Sequence, residues 1–196
     1  MDLSSLIQEF AEQVKSGMIE IYNEASIQCE LAILLRHRIA SEYKVQLERN
    51  IDYFGLDKGA FLKREMDIVI FGPNDGEKHC IELKFPTNGQ YPEQMFSACK
   101  DVRFLEQLVS EGFSESFFVM FAGDPLSYIN KGSSGIYLSF RKEKLMKGSI
   151  QKPTGNKDEA ICLNGTYAIR WKEITNTLKY FVVKVDSAFL NVRVRY

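Results

Sequence analysis

The stretch that decides the fold is residues 65–85, which read EMDIVIFGPNDGEKHCIELKF. It contains two runs rich in apolar and β-branched residues, 65–71 and 78–85, and such runs are typical of strands. Between them, Gly72-Pro73-Asn74-Asp75-Gly76 is a strong turn signal, and Pro86 ends the second run. The stretch therefore predicts a β-hairpin.

Helical and strand patterns flank this hairpin on both sides. Apolar spacing predicts helices over residues 3–15, about 19–40 and 91–111, and strands over 43–51 and 116–122. Further strands are expected over 135–140, 166–172, 179–185 and 188–194, with a polar, basic loop over 141–159. The predicted fold class is α/β, in a single domain over 1–196. Its core covers about 20–125, and a basic, β-rich extension covers about 126–196.

Composition excludes several classes of protein. The chain has 196 residues, of which 45% are hydrophobic, as in a packed globular domain and unlike a disordered or collagen-like chain. No apolar run approaches the ~20 residues that a membrane helix needs. The N-terminus also lacks the basic start and cleavage site of a secretory signal. We therefore expect a soluble, cytoplasmic protein with no membrane partner.

The formal net charge of −1 conceals two regions of opposite sign. Residues 1–140 carry 13 basic and 21 acidic side chains, a net charge of −8. Residues 141–196 carry 12 basic and 5 acidic side chains, a net charge of +7. A near-neutral chain is a poor candidate for coating nucleic acid by electrostatics alone, so any attraction to phosphates must be local.

Two carboxylates and an amine are expected to meet on one face of the hairpin. Glu82 and Lys84 are two residues apart on a strand and so point to the same face. Pairing of the two strands brings Asp67 beside Glu82. Because two adjacent carboxylates repel each other, this arrangement calls for positive charge, which Lys84 and a divalent cation can supply. Oxygen ligands favour Mg²⁺ or Mn²⁺, which activate water for phosphodiester cleavage, and Lys84 would orient or deprotonate that water.

Other interpretations of these acidic residues stay open at this point. The Glu-x-Lys spacing arises by chance about once in a chain of this length, and the pattern could be an ordinary salt-bridged sheet edge. A second copy, Glu42-Tyr43-Lys44, straddles a helix end and is interpreted as surface. Glu30 falls on an apolar helical stripe, where a charge is costly. It would face either a metal site beneath the helix or, at the margin of the stripe, solvent or an Arg.

The order of these elements resembles a known superfamily. A helix with Glu30, two strands of which the second carries Asp67, a strand with Glu82-Leu83-Lys84, then a helix and a strand resemble the core of the PD-(D/E)XK nucleases. In that superfamily the Asp and the Glu bind Mg²⁺, the residue after the Glu offers its carbonyl, and the Lys assists the attacking water. The resemblance implies metal binding by Asp67, Glu82 and the Leu83 carbonyl. It implies catalysis by Asp67, Glu82, Lys84 and Glu30.

The resemblance extends over roughly residues 24–122. It implies a restriction-endonuclease-like core, a mixed central sheet flanked by helices in the order αβββαβ, with extra C-terminal strands. Gln94 and Asp101 lie seven residues apart on one helix face and resemble polar residues that many members carry there. Met66 departs from the pattern, because the motif that names the superfamily has Pro at that position.

The basic C-terminal third is the candidate nucleic-acid interface. Its charges are either a phosphate-gripping surface or a solvated face. They include Arg141, Lys142, Lys144, Lys147, Lys152, Lys157, Arg170, Lys172, Arg193 and Arg195.

The sequence as a whole predicts a metal-dependent nuclease. Its substrate is expected to be nucleic acid, with DNA favoured over RNA. The expected activity is that of an endonuclease that uses Mg²⁺, for which Mn²⁺ substitutes. Cleavage of both strands of a duplex commonly requires two active sites, which a homodimer would provide. The main alternative is a catalytically inactive nucleic-acid-binding or assembly module that keeps the fold. A further alternative is a protein-interaction domain whose charge asymmetry serves a partner.

Overall fold

The structure, a computed structural model, describes residues 1–73, 76–87, 89–129, 134–155 and 158–188. Three α-helices occur in these residues, α1 (Leu3–Lys15), α2 (Glu24–Arg38) and α3 (Tyr91–Ser110). The strands are β1 (Lys44–Asn50), β2 (Glu65–Phe71), β3 (Lys78–Lys84), β4 (Ser116–Ala122), β5 (Leu145–Gln151), β6 (Ala160–Ala168), β7 (Lys172–Glu173) and β8 (Lys179–Val185). Short helical turns lie at Ile51–Phe54, Pro125–Ser127 and Leu138–Lys142. After α1, the elements follow the predicted order αβββαβ.

Six of the strands form one mixed sheet, in the order β1-β2-β3-β4-β8-β7. Strands β3 and β4 are parallel, and the other neighbours in this sheet are antiparallel. Strands β5 and β6 form a separate antiparallel ribbon. The chain is therefore an α/β protein with a mixed central sheet, as predicted.

The two faces of the sheet are covered by different elements. Helices α1 and α2 pack on one face, against a core that includes Ile68, Ile81 and Leu83. Helix α3 packs on the other face, against Val69 and Cys80. The β5–β6 ribbon covers the outer side of α3, so this helix is buried on two sides. Charged side chains on α3 are therefore placed where they need partners.

One buried carboxylate on α3 holds the ribbon in place. Glu106 is fully buried and accepts hydrogen bonds from the N–H of Asn164 at 2.9 Å, the N–H of Gly165 at 2.7 Å and the hydroxyl of Tyr167 at 2.8 Å. Arg103 donates to it at 2.8 Å. Both oxygens of this carboxylate thus accept hydrogen bonds from β6, which joins α3 to the ribbon.

The hairpin and most of the core elements match the sequence-based predictions. Strands β2 and β4 have the predicted bounds, and β3 ends one residue early. Helix α2 begins at Glu24 rather than about residue 19, because Asn23 and Ser26 cap each other. No helix in the described part of the chain is long and apolar enough to cross a membrane.

Three predictions for the C-terminal third are wrong or incomplete. The expected strand over 135–140 is helical instead, because a short apolar run does not distinguish a strand from a buried turn of helix. The expected loop over 141–159 contains β5, whose Met146 and Ile150 are buried in the core that includes α3. Of the strand expected over 166–172, residues 166–168 are the end of β6, which begins at Ala160, and residues 169–171 are not in a strand. The strand expected over 188–194 falls almost entirely outside the described residues.

Candidate active site

Asp67 and Glu82 lie opposite each other on β2 and β3. The register pairs Ile68 with Ile81, so one step along the strands places Asp67 across from Glu82. The N–H of Leu83 donates to Asp67 Oδ2 at 2.7 Å, and the N–H of Asp67 donates to Glu82 Oε1 at 3.3 Å. The expected meeting of the two carboxylates is confirmed, and their role as metal ligands stays a prediction.

The environment of both carboxylates disfavours their charged forms. Glu82 is completely buried, and burial together with the neighbouring Asp67 raises its pKa well above the usual range. Burial also raises the pKa of Asp67 to about 6, although the nearby Lys63 opposes this shift. Two carboxylates with raised pKa values on one patch of sheet are typical of a functional site.

Lys63 balances the negative charge of these two carboxylates, and it was not predicted from the sequence. It lies in the irregular segment before β2. Its ammonium forms an ion pair with Glu82 Oε2 and lies 3.0 Å from Asp101 Oδ1 and 3.8 Å from Asp67 Oδ1. Burial alone would lower the pKa of Lys63, but Glu82 and Asp101 raise it instead, so the side chain is a cation at neutral pH.

Lys84 lies on the same face, two residues beyond Glu82, as predicted. Its Nζ is 3.6 Å from Asp101 Oδ2 and 3.4 Å from a carboxylate oxygen of Glu24. Although burial alone would lower the pKa of Lys84, the charges of Asp101 and Glu24 raise it. Lys84 is therefore protonated in this arrangement. Of its two predicted roles, the geometry favours orienting a water molecule over deprotonating one.

The acid that α2 contributes is Glu24 and not Glu30. Besides its contact with Lys84, Glu24 accepts a hydrogen bond from the N–H of Phe85 at 3.2 Å. Gln28, one turn further along, donates to the carbonyl of Asp67 at 2.8 Å. Glu30 is half-buried, and its carboxylate makes no hydrogen bond or ion pair with any described residue. The structure thus brings Glu24 and not Glu30 into contact with the other site residues, because residues 24 and 28 share the helix face that reaches the site. A role for Glu30 stays a prediction.

Helix α3 contributes Asp101, which the sequence had singled out only by resemblance. Its side chain is almost fully buried, with one oxygen near Lys63 and the other near Lys84. Oδ2 has no hydrogen-bond partner within the described residues. Gln94 is half-buried two turns earlier on the same helix. Asp101 thus joins the two lysines, and a role for Gln94 stays a prediction.

The site therefore gathers four carboxylates and two amines at one end of the sheet. They come from α2, the segment before β2, β2 itself, β3 and α3. Comparison with protein-family models, with curated proteins and with solved structures gives no match to this chain. The residues that form the site are Glu24, Lys63, Asp67, Glu82, Lys84 and Asp101.

These residues fit a divalent cation bound through oxygen. Lys63 Nζ already places a positive charge against oxygens of Asp67, Glu82 and Asp101, and Asp101 Oδ2 is a buried acceptor without a hydrogen bond. Within the described part of the chain, no three side chains of His, Cys, Asp or Glu are placed to hold a metal by themselves. Mg²⁺ commonly takes only one or two carboxylates and keeps several waters, so the pair Asp67 and Glu82 is an adequate donor set.

The residues of the C-terminal third that were predicted to contact nucleic acid differ in their exposure. Lys142, Lys144 and Lys147 are exposed. Arg141 is buried, with its guanidinium stacked 3.7 Å from the centre of the Tyr137 ring and bonded to the carbonyl of Leu126. The prediction of Arg141 as a phosphate contact is wrong, because its guanidinium is used inside the fold. Lys157, Arg193 and Arg195 lie outside the described residues.

Proposed function

We propose that the protein is a Mg²⁺-dependent nuclease with a restriction-endonuclease-like core. The observation that supports this most is the pairing of Asp67 and Glu82 across two strands with Lys84 on the same face. Acids from α2 and α3 contact that Lys, so the charges converge on one point. Hydrolysis of a phosphodiester needs such a converging set of charges.

The roles of the residues follow from their charges. Asp67, Glu82 and the carbonyl of Leu83 would hold the ion. When bound, the ion supplies Lewis-acid activation of water and neutralises charge on the phosphate. Lys84, as an ammonium, donates a hydrogen bond to that water and stabilises negative charge on the scissile phosphate. Asp101 and Glu24 keep Lys84 charged and hold its side chain in place.

Cations beside the site provide contacts for a nucleic-acid backbone. A groove of about 600 Å³ opens next to Asp67. Its lining contains the cations Lys58, Lys63 and Arg64, together with Phe61 and the acids Glu48 and Glu65. Arg64 is exposed, and its guanidinium makes no hydrogen bond or ion pair with the residues that the structure describes. A free guanidinium beside a carboxylate pair is suited to a phosphate. Lys142, Lys144 and Lys147 would add to this electrostatic attraction.

A substrate panel tests the proposal. The full chain is incubated with supercoiled plasmid, single-stranded DNA and RNA, each with Mg²⁺, with Mn²⁺ and with EDTA. We expect cleavage with either ion, strongest on DNA, and none with EDTA. Linear plasmid as the first product would support a homodimer with two sites, whereas nicked circles would support a monomer. Cleavage that persists in EDTA would contradict the proposal.

The second candidate function is a binding module without catalysis. The observation that favours it is the ammonium of Lys63, which balances the carboxylates without any metal. This candidate predicts that the protein retains nucleic acid in a filter-binding assay, yet leaves every substrate of the panel intact with both ions. Cleavage of any substrate only when metal is present excludes it.

Replacing Lys84 with Ala is expected to lower the rate of metal-dependent cleavage by about 100-fold. The reason is the loss of the ammonium that orients water and stabilises charge on the phosphate. Lys44→Ala is the matched control, because Lys44 belongs to the other Glu-x-Lys copy and is exposed at the start of β1. Cleavage rates under single-turnover conditions provide the measurement. Equal rates for the two variants would contradict a role for Lys84.

A further inference from the structure

Lys63 contacts the carboxylate oxygens that face into the site. Its Nζ lies against Asp67 Oδ1, Glu82 Oε2 and Asp101 Oδ1. The other oxygens of the first two carboxylates are used elsewhere, because Asp67 Oδ2 accepts the N–H of Leu83 and Glu82 Oε1 accepts the N–H of Asp67. The oxygens that remain for an ion shared by Asp67 and Glu82 are therefore the ones that Lys63 faces.

We propose that Lys63 holds the cation position of this site in the metal-free protein and leaves it when a divalent ion binds. The inference rests on the proposed function, since it assumes that the ion is held by Asp67 and Glu82. An ammonium and a divalent ion cannot contact the same two oxygens at once, because both need the same space and their positive charges repel each other. Lys63 consequently sets the metal affinity of the protein, as a competitor built into the chain.

The segment that carries Lys63 lets the side chain move while the backbone stays. Gln107 on α3 accepts a hydrogen bond from the N–H of Leu62 at 3.1 Å and donates to the carbonyl of Ala60 at 2.7 Å. The ring of Phe61 packs edge-on against Phe104 at 6.0 Å between ring centres. The main chain is thus attached to α3 independently of Lys63. The flexible side chain can leave by rotation about its own bonds alone.

The released side chain has a place to go. The groove of about 600 Å³ beside Asp67 is lined by Lys63 itself and by Arg64. A lysine that turns into this groove stands next to the free guanidinium of Arg64, where a phosphate would lie. Lys63 would then exchange contact with carboxylates for contact with the substrate backbone, which couples metal binding to substrate binding.

Mn²⁺ binding to Lys63→Met tests the competition directly. Met keeps an unbranched side chain of similar length and removes the charge. We expect Lys63→Met to bind Mn²⁺ with a Kd about tenfold lower than that of wild type, as measured by isothermal titration calorimetry. In wild type the apparent affinity is reduced, because only the molecules in which Lys63 has left the site can bind the ion. Lys58→Met is the matched control. Lys58 lies in the same segment, but its ammonium pairs with Asp52 at 2.6 Å, so its replacement should leave the Kd unchanged.

A second measurement uses the wild-type chain and does not depend on the folding of a variant. An amine-acetylating reagent is applied with and without Mn²⁺, and the modified lysines are quantified by mass spectrometry. Lys63, ion-paired and with 29% of its side chain exposed, is expected to react several times faster once Mn²⁺ is present. Lys58 serves as the internal control, since its pairing with Asp52 lies outside the site and its reactivity should not change.

The outcomes separate this inference from the proposed function. Mn²⁺ that binds wild type and Lys63→Met with the same Kd, or binds the variant more weakly, overturns the competition and leaves the metal site standing. A Lys63 reactivity that is unaffected by bound Mn²⁺ overturns it as well. Mn²⁺ that binds neither protein overturns the metal site and the competition together. Tighter binding to Lys63→Met, with unchanged binding to Lys58→Met, supports the proposal.

Discussion

Replacing Asp67 with Asn is expected to lower the rate of Mg²⁺-dependent DNA cleavage by at least about 1,000-fold, which corresponds to about 4 kcal/mol of activation free energy. The effect is large because the substitution removes one of the two carboxylates that would hold the ion, and a catalytic metal supplies several kcal/mol of transition-state stabilisation. The rate is measured on plasmid under single-turnover conditions. Asp52→Asn is the control, because Asp52 is an exposed acid that pairs only with Lys58 outside the site.

The same substitution is expected to leave the fold intact. The Asn oxygen can still accept the N–H of Leu83, which donates to Asp67 Oδ2 in the native chain. The pKa of Asp67 is raised to about 6, so the fold favours its neutral form, and a neutral amide removes a charge that burial penalises. The melting temperature of Asp67→Asn should therefore be equal to or higher than that of wild type. A melting temperature several degrees below that of wild type would contradict this expectation.

Replacing Glu106 with Ala is expected to lower the free energy of unfolding by about 3–5 kcal/mol. The substitution leaves the buried N–H groups of Asn164 and Gly165 and the hydroxyl of Tyr167 without their acceptor, and each unsatisfied group is costly. For a chain of this size, a loss of 3 kcal/mol lowers the melting temperature by roughly 6–12 °C. Urea unfolding followed by circular dichroism measures the free energy.

Two control variants identify the cause of this loss. Glu111→Ala removes an exposed carboxylate just after the end of the same helix and should change the unfolding free energy by less than about 0.5 kcal/mol. Tyr167→Phe removes only one of the donors to Glu106 and should cost about 1 kcal/mol. If Glu106→Ala were no less stable than Glu111→Ala, the attachment of the β5–β6 ribbon would not depend on this carboxylate.

The meeting of Asp67 with Glu82 could be predicted from the sequence because two local rules decide it. The turn signal over 72–76 predicts the hairpin, and the alternation of strand residues then determines which side chains share a face. Lys84 follows from the same alternation. These features are decided by residues close together in the sequence, so their pattern can be recognised without the tertiary structure.

Lys63 could not be predicted, because it lies in a segment without periodicity. Irregular backbone has no repeat that indicates the direction of a side chain, and the position of Lys63 depends on how Gln107 and Phe104 hold the segment against α3. The contacts join residues about 40 positions apart in sequence. Only the tertiary structure brings them together.

Glu24 was not predicted as a site acid, for a different reason. Glu30 was selected because it falls on the stripe of Ile27 and Leu31, where an acid calls for a partner. Glu24 lies at the first turn of the helix, and the cap formed by Asn23 sets that start. A helix start at about residue 19 would put Glu24 in the second turn of the helix, whereas it is the first residue of the helix in the structure.

The burial of Asp101 and Glu106 on α3 could not be predicted from the apolar pattern of that helix alone. The apolar stripe of this helix indicates one buried face, which packs on the sheet. The β5–β6 ribbon buries another side, and that ribbon was itself expected to be partly a loop. The burial of Glu106 therefore depends on a strand pair whose own sequence pattern is weak.

Mn²⁺ binding to the full chain tests whether Asp67 and Glu82 together hold a divalent ion, and it requires no choice of substrate. Calorimetric titration of wild type is expected to show one ion per chain. The double variant Asp67→Asn, Glu82→Gln is expected to bind Mn²⁺ at least about 100-fold more weakly, since it lacks both charged ligands. A wild-type chain that binds no Mn²⁺, or a double variant that binds it as tightly as wild type, would contradict the account.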